Sequence, residues 1–243
     1  MKLSPGINKI FLIFYVSPFL FFLKCIILCT MVVAIDGPAG SGKSTVAKRI
    51  AGELGILFLN SGSFYRGITL AALRAGIITD FQVGRKDALL SLAESLDMDY
   101  RQERLFIAGE DVEDDLHSDA VDAWVSPVSA VPEIRELVNR KIREVTGTQS
   151  VVCEGRDMTT VVFPDAEHQF YMDASIGVQA ERRFKQGVSG LSLEEIQAAI
   201  QVRDENDKKK AVGALKIAPK AVYIDTSHLT ISEVCAIIIS KLC

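Results

Sequence analysis

The segment Gly37–Ser44 constrains the fold of this chain more than any other. It reads Gly-Pro-Ala-Gly-Ser-Gly-Lys-Ser and matches the pattern G-x-x-x-x-G-K-[ST]. The short apolar run Met31–Asp36 precedes it, and Ser44–Leu54 follows with apolar residues at helical spacing. The pattern is diagnostic only where a buried strand precedes it and a helix follows it. The segment therefore predicts a strand, a glycine-rich turn and a helix in that order.

The residue types of this loop suit the binding of phosphate. Glycine lets the backbone pass close to phosphate oxygens with dihedral angles that other residues avoid, so that successive N–H groups point at the anion. The helix adds its positive end, Lys43 is expected to reach the β- and γ-phosphates, and the Ser44 hydroxyl is expected to ligate Mg²⁺. The predicted ATP-binding residues are Gly37, Pro38, Ala39, Gly40, Ser41, Gly42, Lys43, Ser44 and Thr45.

From Met31 onward, strand and helix patterns alternate along the chain. This alternation predicts an α/β fold with a parallel sheet covered by helices on both faces. The further predicted strands are Ile56–Leu59, Gln149–Cys153, His168–Met172 and Ala221–Asp225. The further predicted helices of this frame are Ser63–Ala75 and Ile231–Leu242.

Two segments depart from the alternation. Residues 80–147 read as an insertion, with an antiparallel hairpin in Leu96–Val112 and an amphipathic helix over Pro132–Val145. The second segment, Glu181–Ala214, is rich in basic residues and is either a pair of solvated charged helices or an arginine-bearing lid.

Composition and charge narrow the function classes. Five cysteines in 243 residues make no disulfide scaffold, and a formal net charge of −4 argues against a general nucleic-acid binder. The chain has no N/T-K-x-D motif for reading guanine, which disfavours a GTPase. Motor-like ATPases and small-molecule kinases remain. The basic segment favours a kinase, because phosphoryl transfer needs several cations and the exclusion of water.

The first 30 residues differ from the rest of the chain. They contain three lysines, six aromatic residues and no acidic residue. Their apolar run Ile10–Leu23 has 14 residues, fewer than the roughly 20 that span a bilayer. A cleaved signal peptide, a membrane anchor and an over-extended reading frame are the three interpretations. We expect the frame to start at Met31, because the first strand begins immediately after it.

Five sequence blocks together resemble the bacterial cytidylate kinases. The first is Ile35–Thr45. Asn60–Arg66 is similar to D-[ST]-G-x-x-Y-R, and Ser126–Arg135 is similar to S-x-x-[AS]-x-x-P-x-[VI]-R. Gly155–Ala166 is similar to G-R-D-[IM]-G-T-V-V-F-P-D-A, and Arg203–Asp207 is similar to R-D-x-x-D. The blocks keep their order and spacing over essentially all of residues 31–243.

The resemblance implies a P-loop nucleoside-monophosphate-kinase fold with a core, an NMP-binding insertion at about 80–147 and a lid at about 181–214. It also implies transfer of the γ-phosphate of ATP, with Mg²⁺, to CMP or dCMP. The implied substrate-binding residues are Ser61, Tyr65, Arg66, Ser126, Arg135, Arg156, Asp157, Arg203 and Asp207. The implied catalytic cations are Lys43, Arg156, Arg203 and Lys210.

Individual roles follow from the resemblance and from the chemistry of each group. Arg66 and Arg156 would hold the acceptor phosphate through the guanidinium fork. Asp157 would accept a hydrogen bond from the N4 amino group that distinguishes cytosine from uracil. Taken singly, Arg66 could be a helix-surface residue and Ser126 a helix N-cap. The joint spacing of the blocks favours the substrate-binding roles.

The sequence departs from the family pattern at several positions. Asn60 replaces the usual aspartate, and Thr159 replaces the glycine after G-R-D-[IM]. Lys210 replaces an arginine, so the positive charge is kept but the forked N–H donors of a guanidinium are lost. Glu154, directly before the block Gly155–Ala166, either holds Mg²⁺ through water or is only structural.

We therefore predict a monomeric, cytoplasmic enzyme that uses ATP and Mg²⁺ to phosphorylate CMP and dCMP, with no nucleic-acid partner and no membrane association of residues 31–243. The alternatives are a kinase for another monophosphate such as UMP and a regulatory P-loop ATPase without an acceptor. The set Ser126, Arg135 and Asp157 discriminates among them, because a regulatory ATPase has no use for it.

Overall fold

The computed structural model describes residues 30–78, 86–147, 149–187 and 190–242, so the predictions for residues 1–29 fall outside the described part. Residues from Met31 onward form one compact unit. In chain order its elements are β1 (Val32–Asp36), α1 (Lys43–Leu54), β2 (Leu57–Asn60), α2 (Ser61–Arg74), α3 (Lys86–Ser95), β3 (Met98–Arg101), β4 (Arg104–Ile107), β5 (Glu110–Asp111), a 3₁₀ turn (Glu113–His117), α4 (Asp119–Ser129), α5 (Pro132–Thr146), β6 (Val151–Gly155), a π-helical turn (Met158–Val162), β7 (His168–Asp173), α6 (Ile176–Lys185), α7 (Leu193–Lys209), β8 (Val222–Asp225) and α8 (Ile231–Ile239).

Five parallel strands in the order β2-β6-β1-β7-β8 form the main sheet. The strand β1 lies between β6 and β7, and its last residue, Asp36, is level with Gly155 and Tyr171. Strands covered on both faces are apolar along their length, which is why β1 and β6 read as short apolar runs. The predicted α/β class and the parallel sheet are confirmed.

Alternate residues of the strands supply two hydrophobic clusters, one on each face. On one face, Val33 and Ile35 pack with residues of α1 and α8, including Ile50 and Ile238. On the other face, Ala34 belongs to a larger cluster that continues into helices α2 to α5. The sheet is therefore held by helices on both sides. No helix of the described residues is long and apolar enough to cross a membrane.

The predicted insertion, residues 80–147, contains a small sheet and several helices. The hairpin expected in Leu96–Val112 is a three-stranded antiparallel sheet, β3-β4-β5, in which β5 adds two residues. The helix expected over Pro132–Val145 is α5. The helices α3 and α4 were not predicted, because the first follows a polar stretch and the second contains Pro127, which signals a break.

The second predicted insertion, Glu181–Ala214, contains the end of α6 and all of α7. These two helices share a small cluster in which Ala180, Ile196 and Ile200 are buried. A complete capping box begins α7, where Ser192 and Glu195 satisfy each other's backbone N–H groups. The helix pair is thus present, and whether it moves as a lid remains a prediction.

Two helical glycines allow a matched test of the packing between α2 and the small sheet. A Cβ on Gly67 would lie 2.4 Å from a methyl group of the fully buried Leu105, whereas a Cβ on Gly52 would meet nothing within 4 Å. We expect Gly67→Ala to lower the free energy of unfolding by about 1–3 kcal/mol through overpacking. Gly52→Ala should raise it by up to about 1 kcal/mol through helix propensity.

Urea denaturation of both variants measures this difference. Equal effects of the two substitutions would show that α2 does not pack against β4 at Gly67.

Candidate active site

The loop that joins β1 to α1 requires glycine at its bends. The φ angles of Gly37, Gly40 and Gly42 are 152°, 71° and 89°, which favour glycine. A Cβ on Gly37 would lie 1.9 Å from the carbonyl oxygen of Met172, and one on Gly40 would lie 2.9 Å from the backbone of Gln179. The loop is therefore packed against β7 and α6, and its dihedral angles are those that an anion-binding turn needs.

Lys43 is buried inside this loop. Its Nζ donates to the carbonyl oxygen of Pro38 at 2.7 Å and lies 3.5 Å from the Ser41 hydroxyl. Burial and, to a smaller extent, the nearby Arg156 guanidinium together lower the pKa of Lys43 to about 7, although the Glu154 carboxylate acts in the opposite direction. A buried ammonium beside another cation is poorly compensated, so an anionic phosphate at this place would stabilise it.

Oxygen groups that suit a divalent cation lie beside the start of α1. The Ser44 hydroxyl donates to Oε1 of Glu154 at 2.8 Å, and Glu154 is buried near the end of β6. Mg²⁺ is held by hard oxygen ligands and usually keeps several waters, which fits one hydroxyl and one carboxylate next to a phosphate loop. Within the described ranges there is no cluster of three or more His, Cys, Asp or Glu that could hold a metal ion.

A carboxylate from α7 reaches the phosphate loop. Oδ1 of Asp204 accepts from the backbone N–H of Ala39 at 3.2 Å. Burial raises the pKa of Asp204, which the nearby Arg156 and Lys43 oppose. The helix pair thus lies against the loop, and the Asp204 carboxylate occupies the backbone N–H group of Ala39 in that loop.

A buried ion pair lies close to this loop. Nη2 of Arg135 donates to Oδ2 of Asp157 at 2.6 Å, and both side chains are at most 3% exposed. Nη1 of Arg135 donates to the carbonyl oxygen of Ser129, and the guanidinium lies 5.2 Å from the ring centroid of Tyr65. The Nε of Arg135 and the hydroxyl of Tyr65 are buried with no hydrogen-bond partner among the described residues. Buried polar atoms of this kind are satisfied when a polar ligand binds.

A second network joins β6 to α7. Nε of Arg156 donates to Oδ2 of Asp207 at 3.0 Å, and Nζ of Lys210 lies 2.8 Å from the other oxygen of the same carboxylate. Lys210 also donates to the Ser129 hydroxyl at 3.0 Å. Burial favours the protonated form of Asp207, but Arg156 and Lys210 outweigh it and hold the pKa of Asp207 below its ordinary value. The lysine that replaces the expected arginine therefore still contacts the network.

Arg66 lies in α2 with its guanidinium directed toward the insertion. It donates to the carbonyl oxygen of Leu116 at 2.8 Å and to Asp122 at 2.6 Å. Arg183 of α6 lies 3.6 Å from the same carboxylate. Burial lowers the pKa of Arg203 to about 10, and the nearby Arg156 contributes in the same direction. Arg66 and Arg203 are thus close enough to affect each other electrostatically.

The remaining predicted residues border these networks. The Ser61 hydroxyl would lie 2.5 Å from a Cβ on Gly155, so it packs against the end of β6. Ser126 lies in the last turn of α4 and not at a helix N-cap, and its carbonyl oxygen accepts from the Ser129 hydroxyl. Thr45 lies in the first turn of α1 and is exposed.

The departure at Asn60 has a structural explanation. Its Oδ1 accepts from the backbone N–H of Gly62 at 2.9 Å and caps the N-terminus of α2. Asparagine serves this role as well as aspartate does, so the cap is kept although the carboxylate is lost.

Sequence reasoning gave no role to four residues that contact the predicted site: Asp122, Ser129, Asp204 and Gly213. Asp204 belongs to the block R-D-x-x-D and precedes Asp207 by three residues, which puts both carboxylates on one side of a helix, so a role for Asp204 could have been predicted. Gly213 gives no such signal. Its φ is 67°, and a Cβ there would lie 2.1 Å from Nε of Arg135.

A phosphate loop with a buried lysine, faced by a cluster of arginines and a lysine, defines a P-loop kinase. Residues 33–243 match the family model described as cytidylate kinase. The chain belongs to the cytidylate kinase family and is a phosphotransferase that uses ATP.

Curated relatives support this membership. The chain is 40% identical over 213 residues to cytidylate kinase 1 of Borrelia garinii subsp. bavariensis, covering 87% of this chain and 96% of that relative. It is 41% identical over 213 residues to the cytidylate kinase of Borreliella burgdorferi strain ZS7, with the same coverage of both chains. The cytidylate kinase of Borrelia duttonii is 39% identical over 211 residues, covering 86% of this chain and 96% of that relative.

The contact of Gly213 with Arg135 yields a test of the site. We expect Gly213→Ala to raise the KM for the acceptor nucleotide by at least ~10-fold, because the added methyl group displaces Arg135 or lifts the chain away from it. Gly187→Ala is the matched control, since Gly187 has a φ of 65° and a Cβ there would meet nothing within 4 Å. Steady-state kinetics measure the KM for the acceptor nucleotide in both variants. Equal KM values in Gly213→Ala and Gly187→Ala would contradict the proposed contact.

Proposed function

We propose that this chain transfers the γ-phosphate of ATP directly to CMP and dCMP, which yields ADP and CDP or dCDP. The observation that carries the proposal is the buried pair of Arg135 and Asp157 beside the phosphate loop. Such a pair is costly to bury, and it leaves Nε of Arg135 without a partner among the described residues. A cytosine base would supply the missing polar contacts.

On the donor side, the backbone N–H groups of the loop and Lys43 would hold the β- and γ-phosphates of ATP. Ser44 would bind Mg²⁺ directly, and Glu154 would bind it through a water molecule. The bound ion would neutralise part of the negative charge of the phosphates. The carboxylate of Asp204 accepts from the Ala39 N–H at 3.2 Å. It would give up this contact to a phosphate oxygen.

On the acceptor side, Arg66 and Arg156 would bind the phosphate of CMP, with Ser61 nearby. Both guanidinium groups now contact carboxylates, Asp122 and Asp207. An acceptor phosphate would take the place of these contacts, which are charge-assisted hydrogen bonds of the same kind. Since a phosphate oxygen is already ionised, the reaction needs no general base.

The transferring phosphoryl group would pass between the two halves of the site. Arg156 lies close enough to Lys43 and to Arg203 to contribute, after burial, to the lowered pKa of each of them. With Lys210, these are the cations expected to stabilise the charge of the transition state. Asp207, once the acceptor phosphate replaces it at Arg156, would still orient Lys210 as the helix pair closes and excludes water.

The cytosine would lie beside Asp157, Arg135 and Ser126, with the ring of Tyr65 against the Arg135 guanidinium. A carboxylate accepts from the N4 amino group of cytosine and repels the O4 carbonyl of uracil. We propose that the enzyme acts as a monomer in the cytoplasm, where ATP and CMP are both available. Each group named above comes from the single unit that begins at Met31.

A panel of nucleoside monophosphates tests the proposal on the unaltered chain. ADP formation should be strong with CMP and dCMP, weak with UMP and nearly absent with AMP or GMP. Equal stimulation by AMP, or stimulation by none of the five, would refute the assignment. A chain that hydrolyses ATP at the same rate with and without acceptors would instead be a regulatory ATPase.

The substitution Asp157→Asn tests how the base is read. We expect the ratio of kcat/KM for CMP to that for UMP to fall roughly 5- to 150-fold, because asparagine offers both a donor and an acceptor. The loss should come mostly from CMP. The ratio is insensitive to the stability lost when Arg135 is left without its partner. An unchanged ratio would remove Asp157 from the base-reading set.

A further inference from the structure

One buried carboxylate outside the roles described above ties two parts of the site together. Oδ1 of Asp36 accepts from the backbone N–H of Met158 at 2.8 Å, and Oδ2 accepts from the backbone N–H of Thr159 at 2.7 Å. The Thr159 hydroxyl donates to Oδ2 as well, at 2.5 Å. Asp36 is 0% exposed and Thr159 is 2% exposed.

The two ends of this contact belong to different functional segments. Asp36 is the last residue of β1 and comes immediately before the phosphate loop. Met158 and Thr159 begin the π-helical turn and come immediately after Asp157. The carboxylate is thus a direct link between the loop proposed to hold ATP and the residues proposed to hold CMP.

The contact is strong enough to fix a position. A buried carboxylate is costly unless it is hydrogen-bonded, and here three donors converge on it. Burial raises the pKa of Asp36, and the value remains about 6 although the three hydrogen bonds act in the opposite direction. Two of the donors are consecutive backbone N–H groups, so the carboxylate orients the peptide planes that follow Asp157 and not only a side chain.

We propose that Asp36 and Thr159 form a positioning clamp that sets the distance between the phosphate loop and the base-reading carboxylate of Asp157. Neither residue touches a substrate in this proposal. They act through the turn that carries Arg156 and Asp157. The inference rests on the proposed function, because it assigns the clamp to the alignment of acceptor with donor.

Thr159 supplies a bond that the family pattern does not call for. The block Gly155–Ala166 resembles a pattern with glycine at this position, which has no hydroxyl to donate. The Thr159 side chain therefore adds a third hydrogen bond to a carboxylate that would otherwise accept two. In this chain the clamp can be weakened at Thr159 without altering Asp36 or the phosphate loop.

The test uses Thr159→Val, which keeps the shape of the side chain and removes its hydroxyl. We expect the ratio of kcat/KM for CMP to that for UMP to fall roughly 10-fold, because Asp157 shifts relative to the loop. The dissociation constant for ATP should stay within about two-fold. Thr159→Ser restores the hydroxyl and should keep the wild-type ratio. Asp36→Asn should lower the ratio further than Thr159→Val does, if that variant folds.

Thr160→Val is the matched control. Thr160 lies in the same π-helical turn, and its hydroxyl is buried with no hydrogen-bond partner among the described residues. This substitution makes the same chemical change one residue away and should leave the ratio unchanged. A ratio for Thr159→Val equal to that for Thr160→Val, or an equal loss in Thr159→Ser, would overturn the clamp.

The experiment separates this inference from the proposed function. A wild-type chain that does not phosphorylate CMP would contradict the proposed function itself. A wild-type chain that phosphorylates CMP with strong preference over UMP, together with an unchanged ratio in Thr159→Val, would contradict the clamp alone.

Discussion

The parallel pairing of β1 between β6 and β7 is the constraint on which the site depends. Parallel strands end at the same edge of a sheet, so the loop after Asp36 and the turn after Gly155 leave the sheet side by side. The first supplies the N–H groups and Lys43, and the second supplies Arg156 and Asp157. No contact between donor and acceptor would exist if β6 paired elsewhere, however well each loop folded alone.

The protein's own carboxylates contact the basic groups of the site. Asp204 accepts from the phosphate loop, Asp207 contacts Arg156 and Lys210, and Asp122 contacts Arg66. Each carboxylate lies where the proposed reaction brings a phosphate. Without these anions the cations of the site would repel one another more strongly, since the neighbouring Arg156 already adds to the effect of burial in lowering the pKa of Lys43. We therefore propose that substrate binding exchanges these carboxylates for phosphate oxygens.

Much of the fold and part of the site could be predicted from the sequence. The strand, loop and helix around Lys43 follow from local physics, because glycine spacing and apolar runs are visible along the chain. The five resembling blocks predict the acceptor-binding residues, and these roles stay predictions. Two features depend on tertiary contact between segments far apart in the chain, where no local pattern predicts them: the approach of Gly213 to Arg135 and the contact of Asp204 with the loop. The helix α4 was missed for a local reason, because Pro127 signals a break.

The central claim is that the two halves of the site pass a phosphoryl group directly from ATP to CMP. ATP labelled in its γ-phosphate, incubated with CMP and the unaltered chain, measures this most directly. The account predicts that the label appears in the β-phosphate of CDP in a one-to-one ratio with the ADP formed. Label released as inorganic phosphate in place of CDP, or held covalently on the protein, would contradict it.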